Sequence, residues 1–515
     1  MAPTVIPIQS ARLVKSQPCH HFNGFLVQRL YFEVPLRHDQ PRGEKLLLVA
    51  HMVHEETSSD TVVASNQQQP MNTSTGFETK KRPIILYLCG GPGADNPPCR
   101  VPDMNRWLLH RGYRILYVDY RGCGESSPVK AKSLKERGMS DQQMADFIKQ
   151  FCQDNIVRDL EAIRLCLSAQ VEDNADSDAS SVRWTILGQS YGGYISLTYL
   201  STHPEGLLEV FITGGLPPCG MDIEDYFKVE YAKIVAQNKL FYLAYPDAAR
   251  LLRDVLGLID QIGPRNIPMT GRGYMSGQKL LTLGRQFGSK VGFPEVYHLL
   301  QKIYSDLTKT GKLAPDTIRE FEGILHVDER PLYPILLEQT WCTGGPTNWA
   351  AERVAADLEG FEYLKIDSHG RYPDPSETSV GQPIYFNANT YCRFHYDTHE
   401  ELVDLKGAVE ILAEHPWESS YDFEQLAKNP LQVPVYAMSF LQDMHLDLGV
   451  SGDTAAKVGG LRLVEDPGWH QDIRHKPAAV LERLFRVRDG VVEGKDEVVS
   501  SSDVQDRIEE EEPDS

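Results

Sequence analysis

The chain has 515 residues, 41% hydrophobic and 24% charged, a globular composition too long for one minimal domain. Its formal net charge of −20 argues against nucleic acid or an anionic membrane surface as a partner. No run approaches about 18 uninterrupted apolar residues, and the N-terminus lacks a basic start followed by an apolar core, so neither a membrane span nor a secretory signal is expected. Nine cysteines, with no C-x-x-C among them, read as reduced thiols of a cytoplasmic protein. The sequon Asn72-Thr73-Ser74 would matter only in a secreted chain.

In chain order, "FLVQRLYFEVPL" (25–36) and "EKLLLVAHMVH" (44–54) predict two strands joined by a turn holding Asp39, Pro41 and Gly43. Residues 55–80 are polar and rich in Gln, Ser and Thr, a surface excursion. Four short apolar runs follow: "IILYLCG" (84–90), "RILYVDY" (114–120), "WTILGQS" (184–190) and "EVFITGG" (209–215). Continuous apolar runs of this length suit strands covered on both faces, as in a parallel sheet. Helical patterns such as "DNIVRDLEAIRLCLSAQ" (154–170) lie between them. The alternation predicts a doubly wound α/β core with helices on both faces of a mostly parallel sheet.

That rhythm stops after Pro217-Pro218. Residues 219–431 are mostly helix-patterned, and strand-like runs return only at "VPVYAMSF" (433–440) and "LRLVED" (461–466). The chain thus divides into a first core part (1–218), a large inserted helical cap (219–431), a second core part (432–486) and an acidic, disordered tail (487–515).

Chemistry concentrates at "TILGQSYGGYISL" (185–197), where Ser190 stands between Gly188 and Gly192. A Gly-x-Ser-x-Gly match alone is weak, since a chain of this length should hold roughly 0.2 by chance. Here it follows a predicted strand and opens a predicted helix, the setting of a nucleophile elbow. A serine nucleophile needs amides for its oxyanion, and "CGGPGADNP" (89–97) supplies a glycine-rich loop after a strand. Gly91 and Tyr191 are the expected donors, with Gly90 the alternative to Gly91. In this fold the acid and then the base follow the serine along the chain. Asp443 lies just beyond a strand end with Asp447 as rival, and His470 follows the last strand with His475 as rival. No His/Cys cluster has metal spacing, so neither metal nor cofactor is expected.

Taken together, "GGPG", "DYRGCGES" (119–126), "GQSYGGY" (188–194), "TGGLPP" (213–218), "DMHLD" and "HQDIR", with "LTLGRQFG" (281–288) and "NWAAERV" (348–354), resemble the prolyl aminopeptidases (proline iminopeptidases), in their larger form with a long helical cap. The resemblance implies the α/β-hydrolase fold and release of an N-terminal proline, or a similar residue, from a peptide, amide or ester. It implies Ser190, Asp443 and His470 as triad, and a small peptide or aminoacyl substrate held through its amine by cap carboxylates. Glu338 matches one of these. At the other the sequence departs from the pattern: "YFNANTYCRF" (385–394) carries Asn389 where the family has glutamate. Asparagine accepts a hydrogen bond without a full charge, and charged hydrogen bonds are worth about 1.5–3 kcal/mol. An esterase or acyl hydrolase acting on a small metabolite is therefore the alternative, and a non-catalytic binding protein on a hydrolase scaffold is the reading from another class.

Overall fold

A computed structural model describes residues 7–55, 82–172, 182–378 and 381–491. The expected excursion falls almost wholly outside these segments, as does most of the acidic tail.

Ten strands form one sheet: β1 (Arg12–Ser16), β2 (His20–Phe22), β3 (Phe25–Pro35), β4 (Lys45–His54), β5 (Ile84–Leu88), β6 (Arg114–Val118), β7 (Trp184–Gln189), β8 (Leu207–Thr213), β9 (Val435–Phe440) and β10 (Leu461–Asp466). Their order is β1-β3-β4-β6-β5-β7-β8-β9-β10, with β2 pairing β3 off that path. The β3–β4 hairpin runs in register from Leu26↔His54 to Pro35↔Lys45, and β4 joins β6 antiparallel. From β6 through β5 to β10 every pairing is parallel.

Burial explains why these runs become strands. Every residue of β5, β7 and β9 is buried, and each fully buried Leu, Ile or Val contributes about 1.5–3 kcal/mol. β10, at the edge, buries only Val464. Helices cover both faces of the sheet. Among them, α1 (Pro102–His110) meets α8 (Pro477–Arg488) through Trp107 and Phe485, whose rings lie 4.8 Å apart. α2 (Gln153–Glu172) is tied to α3 (Tyr191–Thr202) by the Tyr199 hydroxyl on Glu161.

Two buried carboxylates explain the "DYRGCGES" segment as scaffold. Asp159 receives Arg121 at 2.6 and 2.7 Å and His38 at 2.9 Å, and Arg121 donates onward to the carbonyls of Leu36 and Gln150. Asp119 accepts from the amides of Asn96 (2.6 Å) and Glu125 (2.9 Å), which pins the loop after β5.

Between β8 and β9 the described residues form helices and turns, with isolated bridges at Pro268↔Tyr274 and Gly345↔Trp417. The longest are α4 (Ile223–Ala244), α5 (Ala248–Ile262) and α6 (Gly292–Thr310); α7 (Leu448–Ala456) follows β9. Because β8 and β9 are neighbours in the sheet, this insertion leaves and re-enters at the same edge of the crevice above the strand ends.

The structure departs from the sequence reading in two details. β1 and β2 carry no apolar run, since both lie largely exposed at the sheet margin. α8 runs on to Arg488, past the expected start of the tail, because Leu484, Phe485 and Val487 are buried.

Candidate active site

Ser190 is the single residue between β7 and α3, with φ 55° and ψ −122°. A serine in this region costs on the order of 1–3 kcal/mol and persists only where its surroundings impose it. Here the Ser190 amide donates to Thr213 O (3.0 Å) and its carbonyl accepts from Gly193 N (2.7 Å). Close packing forbids side chains on either flank. A Cβ at Gly188 would stand 2.5 Å from Gly192 O, and one at Gly192 would overlap Leu88 O. The turn thus lifts a half-buried hydroxyl out of an otherwise sealed sheet end.

Across the next loop, His470 Nδ1 meets Asp443 Oδ2 at 2.6 Å, with both residues buried. The other Asp443 oxygen accepts from the amides of His445 (2.7 Å) and Leu446 (3.0 Å). Burial opposes ionisation of Asp443, yet the charge and hydrogen bond of His470 hold its pKa below the ordinary carboxylate value. Burial and the neighbouring His470 charge push His445 down to about 3, so a neutral ring meets His470 edge to face, with centroids 4.7 Å apart.

The two halves adjoin at Gly214-Gly215. A Cβ on Gly214 would lie 3.0 Å from His470 Nδ1 and 3.4 Å from Asp443 Oδ2, while one on Gly215 would lie 2.5 Å from Ser190 O. Adjacent residues after β8 therefore touch the serine on one side and the imidazole–carboxylate pair on the other. The rivals lie elsewhere. Asp447 caps α7 through Val450 N (3.1 Å) and pairs with Lys233 at 3.5 Å, and His475 ends a short helix at the surface.

The loop after β5 completes the surround. A Cβ on Gly90 would be 3.5 Å from Ser190 Oγ, and one on Gly91 would be 3.6 Å from the Tyr191 ring. Among the described residues neither the Gly91 nor the Tyr191 amide donates to a backbone carbonyl. Amides left over at a helix N-terminus, beside a hydroxyl, suit an anion.

The insertion leans on these loops. A Cβ on Gly93 would stand 2.7 Å from Tyr333 N, and the Tyr226 hydroxyl donates to His445 O at 3.1 Å. Glu338 is half-buried and accepts from Ala351 N at 3.0 Å; burial pushes it up to about 8 against the pull of that amide. Asn389 is buried, with its Oδ1 accepting from the Tyr333 hydroxyl (3.1 Å). Neither shares a hydrogen bond with Ser190, His470 or Asp443. Two residues absent from the sequence reading stand out. Glu230 is buried on α4, and Arg285 stacks 5.0 Å from the centroid of the Tyr333 ring. Glu230 had a signal: it falls in the apolar stripe of its helix, among Tyr226, Phe227, Tyr231 and Ile234.

Among the described residues no cluster of three or more His, Cys, Asp or Glu is disposed to hold a metal, and no helix is long and apolar enough to cross a membrane.

Residues 83–323 match the family described as alpha/beta hydrolase fold. The chain is 29% identical to the proline iminopeptidase aneH of Aspergillus aculeatus over 469 residues, 89% of this chain and 92% of that protein. It is 27% identical to the proline iminopeptidase of Aeromonas sobria over 480 residues, 92% and 99% of the two chains. A proline iminopeptidase of Neisseria gonorrhoeae matches over 138 residues at 29%, 25% of this chain and 32% of that one. The fold, the elbow at Ser190 and the likeness over most of the chain agree in what the chain is similar to: the proline iminopeptidases, on a scaffold of the alpha/beta hydrolase fold.

Proposed function

We propose that the protein releases an N-terminal proline or similar residue from a small peptide, amide or ester through an acyl-enzyme on Ser190. His470 takes the proton of the Ser190 hydroxyl as the oxygen attacks the acyl carbon, and Asp443 holds the imidazolium that forms. The Gly91 and Tyr191 amides receive the oxyanion. The protonated His470 then gives its proton to the leaving group, and the freed base activates a water that breaks the ester to Ser190. Residues 219–431 act as a cap that admits small or N-terminal substrates. The observation that carries this reading is the 2.6 Å bond between His470 and Asp443, packed beside a strained serine at a strand–helix turn.

A second reading is hydrolysis of a small-metabolite ester. It is favoured by Asn389, which shares Tyr333 with the cation Arg285 where the resemblance calls for a carboxylate. Parallel assays of proline amides and proline esters, with Ser190→Ala as blank, separate the two. Turnover of both supports the aminopeptidase, and ester turnover alone supports the second reading. A fluorophosphonate probe that fails to label the wild-type serine would sink either.

A further inference from the structure

A guanidinium drawn into a protein normally finds a carboxylate, because its charge is costly to strip of water and it does not deprotonate. Arg285 has no such partner among the described residues. It lies half-buried in the 3₁₀ turn Thr282–Gly288 of the insertion. One nitrogen, Nη1, donates at 3.3 Å to Leu325 O and to the Tyr391 hydroxyl, and the Tyr333 ring centroid is 5.0 Å from the guanidinium carbon. Nε and Nη2 donate to nothing among the described residues, yet neither is sealed from solvent. Carboxylates of the adjoining loops are taken: Asp95 by Arg100 (2.8 Å) and Arg330 (3.1 Å), Glu295 by Gln286 (3.0 Å). Arg285 thus keeps free its Nε–Nη2 edge, the one that grips a carboxylate through two parallel hydrogen bonds.

Two contacts place this turn against the reacting centre. At its end, a Cβ on Gly288 would lie 3.2 Å from Met444 Cβ and 3.7 Å from His445 Nε2, and the His445 ring centroid is 4.7 Å from that of His470. Tyr333, beneath the guanidinium, packs on the loop after β5, where a Cβ on Gly93 would be 2.7 Å from Tyr333 N. Arg285 is therefore bracketed by the acid loop and the oxyanion loop. Burial and His470 lead in depressing the pKa of His445, and the Arg285 charge adds to them, so the cation is felt at the acid loop. In the mechanism above His470 hands its proton to the leaving group, which must depart past that imidazole. Chain beyond the scissile bond passes on the side where Arg285 stands. In a dipeptide the terminal carboxylate is one residue away, at most about 3.6 Å of extended chain.

We propose that Arg285 binds the C-terminal carboxylate of a short peptide substrate, so that the preferred leaving group is a single free amino acid. The inference rests on the aminopeptidase reading above and names the leaving-group class that the site takes. A carboxylate supplies the charge that the folded chain withholds from this guanidinium, and two acceptors for its free edge. A C-terminal amide puts a neutral group there. A longer peptide does the same and carries its carboxylate beyond reach.

The test pairs substrates that differ only in this charge: Pro-Ala with its C-terminal amide, and the prolyl ester of lactic acid with that of methyl lactate. Wild type, Arg285→Gln and Arg285→Lys are assayed on all four. Circular dichroism and fluorophosphonate labelling first establish that each is folded with a reactive serine. In wild type each free acid should lead its neutral partner in kcat/KM by about tenfold or more. Arg285→Gln should erase most of that lead, through KM, and Arg285→Lys should keep part of it. The wild-type comparison needs no variant, and absence of a lead there overturns the assignment. So does an undiminished lead in Arg285→Gln, or an equal loss on acid and neutral partners, the mark of an arginine that only supports the fold. Turnover of the esters alone defeats the aminopeptidase reading, and the lactic acid pair then decides the role of Arg285 by itself. No labelling and no turnover of any substrate by wild type overturns both.

Discussion

The core and the helical insertion treat buried charge in opposite ways. In the core, Asp159 is met by Arg121 and His38, Asp119 by two amides, and Asp443 by His470 and two amides. In the insertion, neither Glu230 carboxyl oxygen has a hydrogen-bond partner within 3.5 Å among the described residues, and Arg285 donates to the Leu325 carbonyl and the Tyr391 hydroxyl and lies over the Tyr333 ring. The insertion can compensate charge when it must, since Glu352 is paired with Arg393 at 2.6 Å. Satisfied charges hold a backbone in shape. Unsatisfied ones lower stability.

The comparison can be broken hardest at the core triad. Ser190→Ala should cut kcat by about 10⁶-fold and Asp443→Asn by about 10⁴-fold, with the double variant no worse than Ser190→Ala alone. Single-turnover and steady-state rates on a proline ester check this; additive losses would contradict a unit of three residues.

Next comes a core charge outside the site. Arg121→Met strips Asp159 of its cation and should cost about 3–5 kcal/mol in urea unfolding, while the folded fraction keeps its KM. A loss below about 1 kcal/mol would mean that the pair is solvated in solution.

The insertion should behave in the reverse sense. Glu230 and Glu338 both have folded pKa values of about 8 against an ordinary 4.5, so the folded state binds more protons than the unfolded state between these limits. Stability therefore falls as pH rises from about 4.5 to 8, by at most about 1.4 kcal/mol per pH unit for each group. Glu230→Gln should flatten this slope and raise the melting temperature at pH 8. Asp443, with its pKa depressed, gives the opposite sign: its contribution is present above the ordinary carboxylate value and is lost as pH falls through its own. A melting temperature for Glu230→Gln below wild type at pH 8 would count against an uncompensated charge.

The smallest effect separates two neighbouring carboxylates. Asp447→Ala removes a helix cap and should cost about 0.5–2 kcal/mol of stability, with a rate loss far below that of Asp443→Asn. Equal losses would mean that the acid loop shifts during turnover.

Much of this was legible in the chain itself. The runs 84–90, 114–120, 184–190 and 433–440 became fully or largely buried strands because apolar stretches bounded by glycine and proline have few other places to go. The elbow at Ser190 was readable for a local reason: its glycines answer to clashes with residues in the adjoining strand and helix. The marginal strands β1 and β2 were not readable, since pairing to β3 rather than their own composition makes them strands.

Local patterning and turn chemistry, which act over a few residues, thus dictate the strands, the elbow and the short list of acids and bases. Choosing within that list needed the packed molecule. Asp443 faces His470 while Asp447, four residues on, caps a helix, and nothing in their spacing separates them. The raised pKa of Glu230 likewise follows only from the packing of α4 on the acid loop, where burial outweighs the Tyr226 hydroxyl and Lys233. Desolvation and ion pairing belong to the assembled interior, and no stretch of sequence carries them alone.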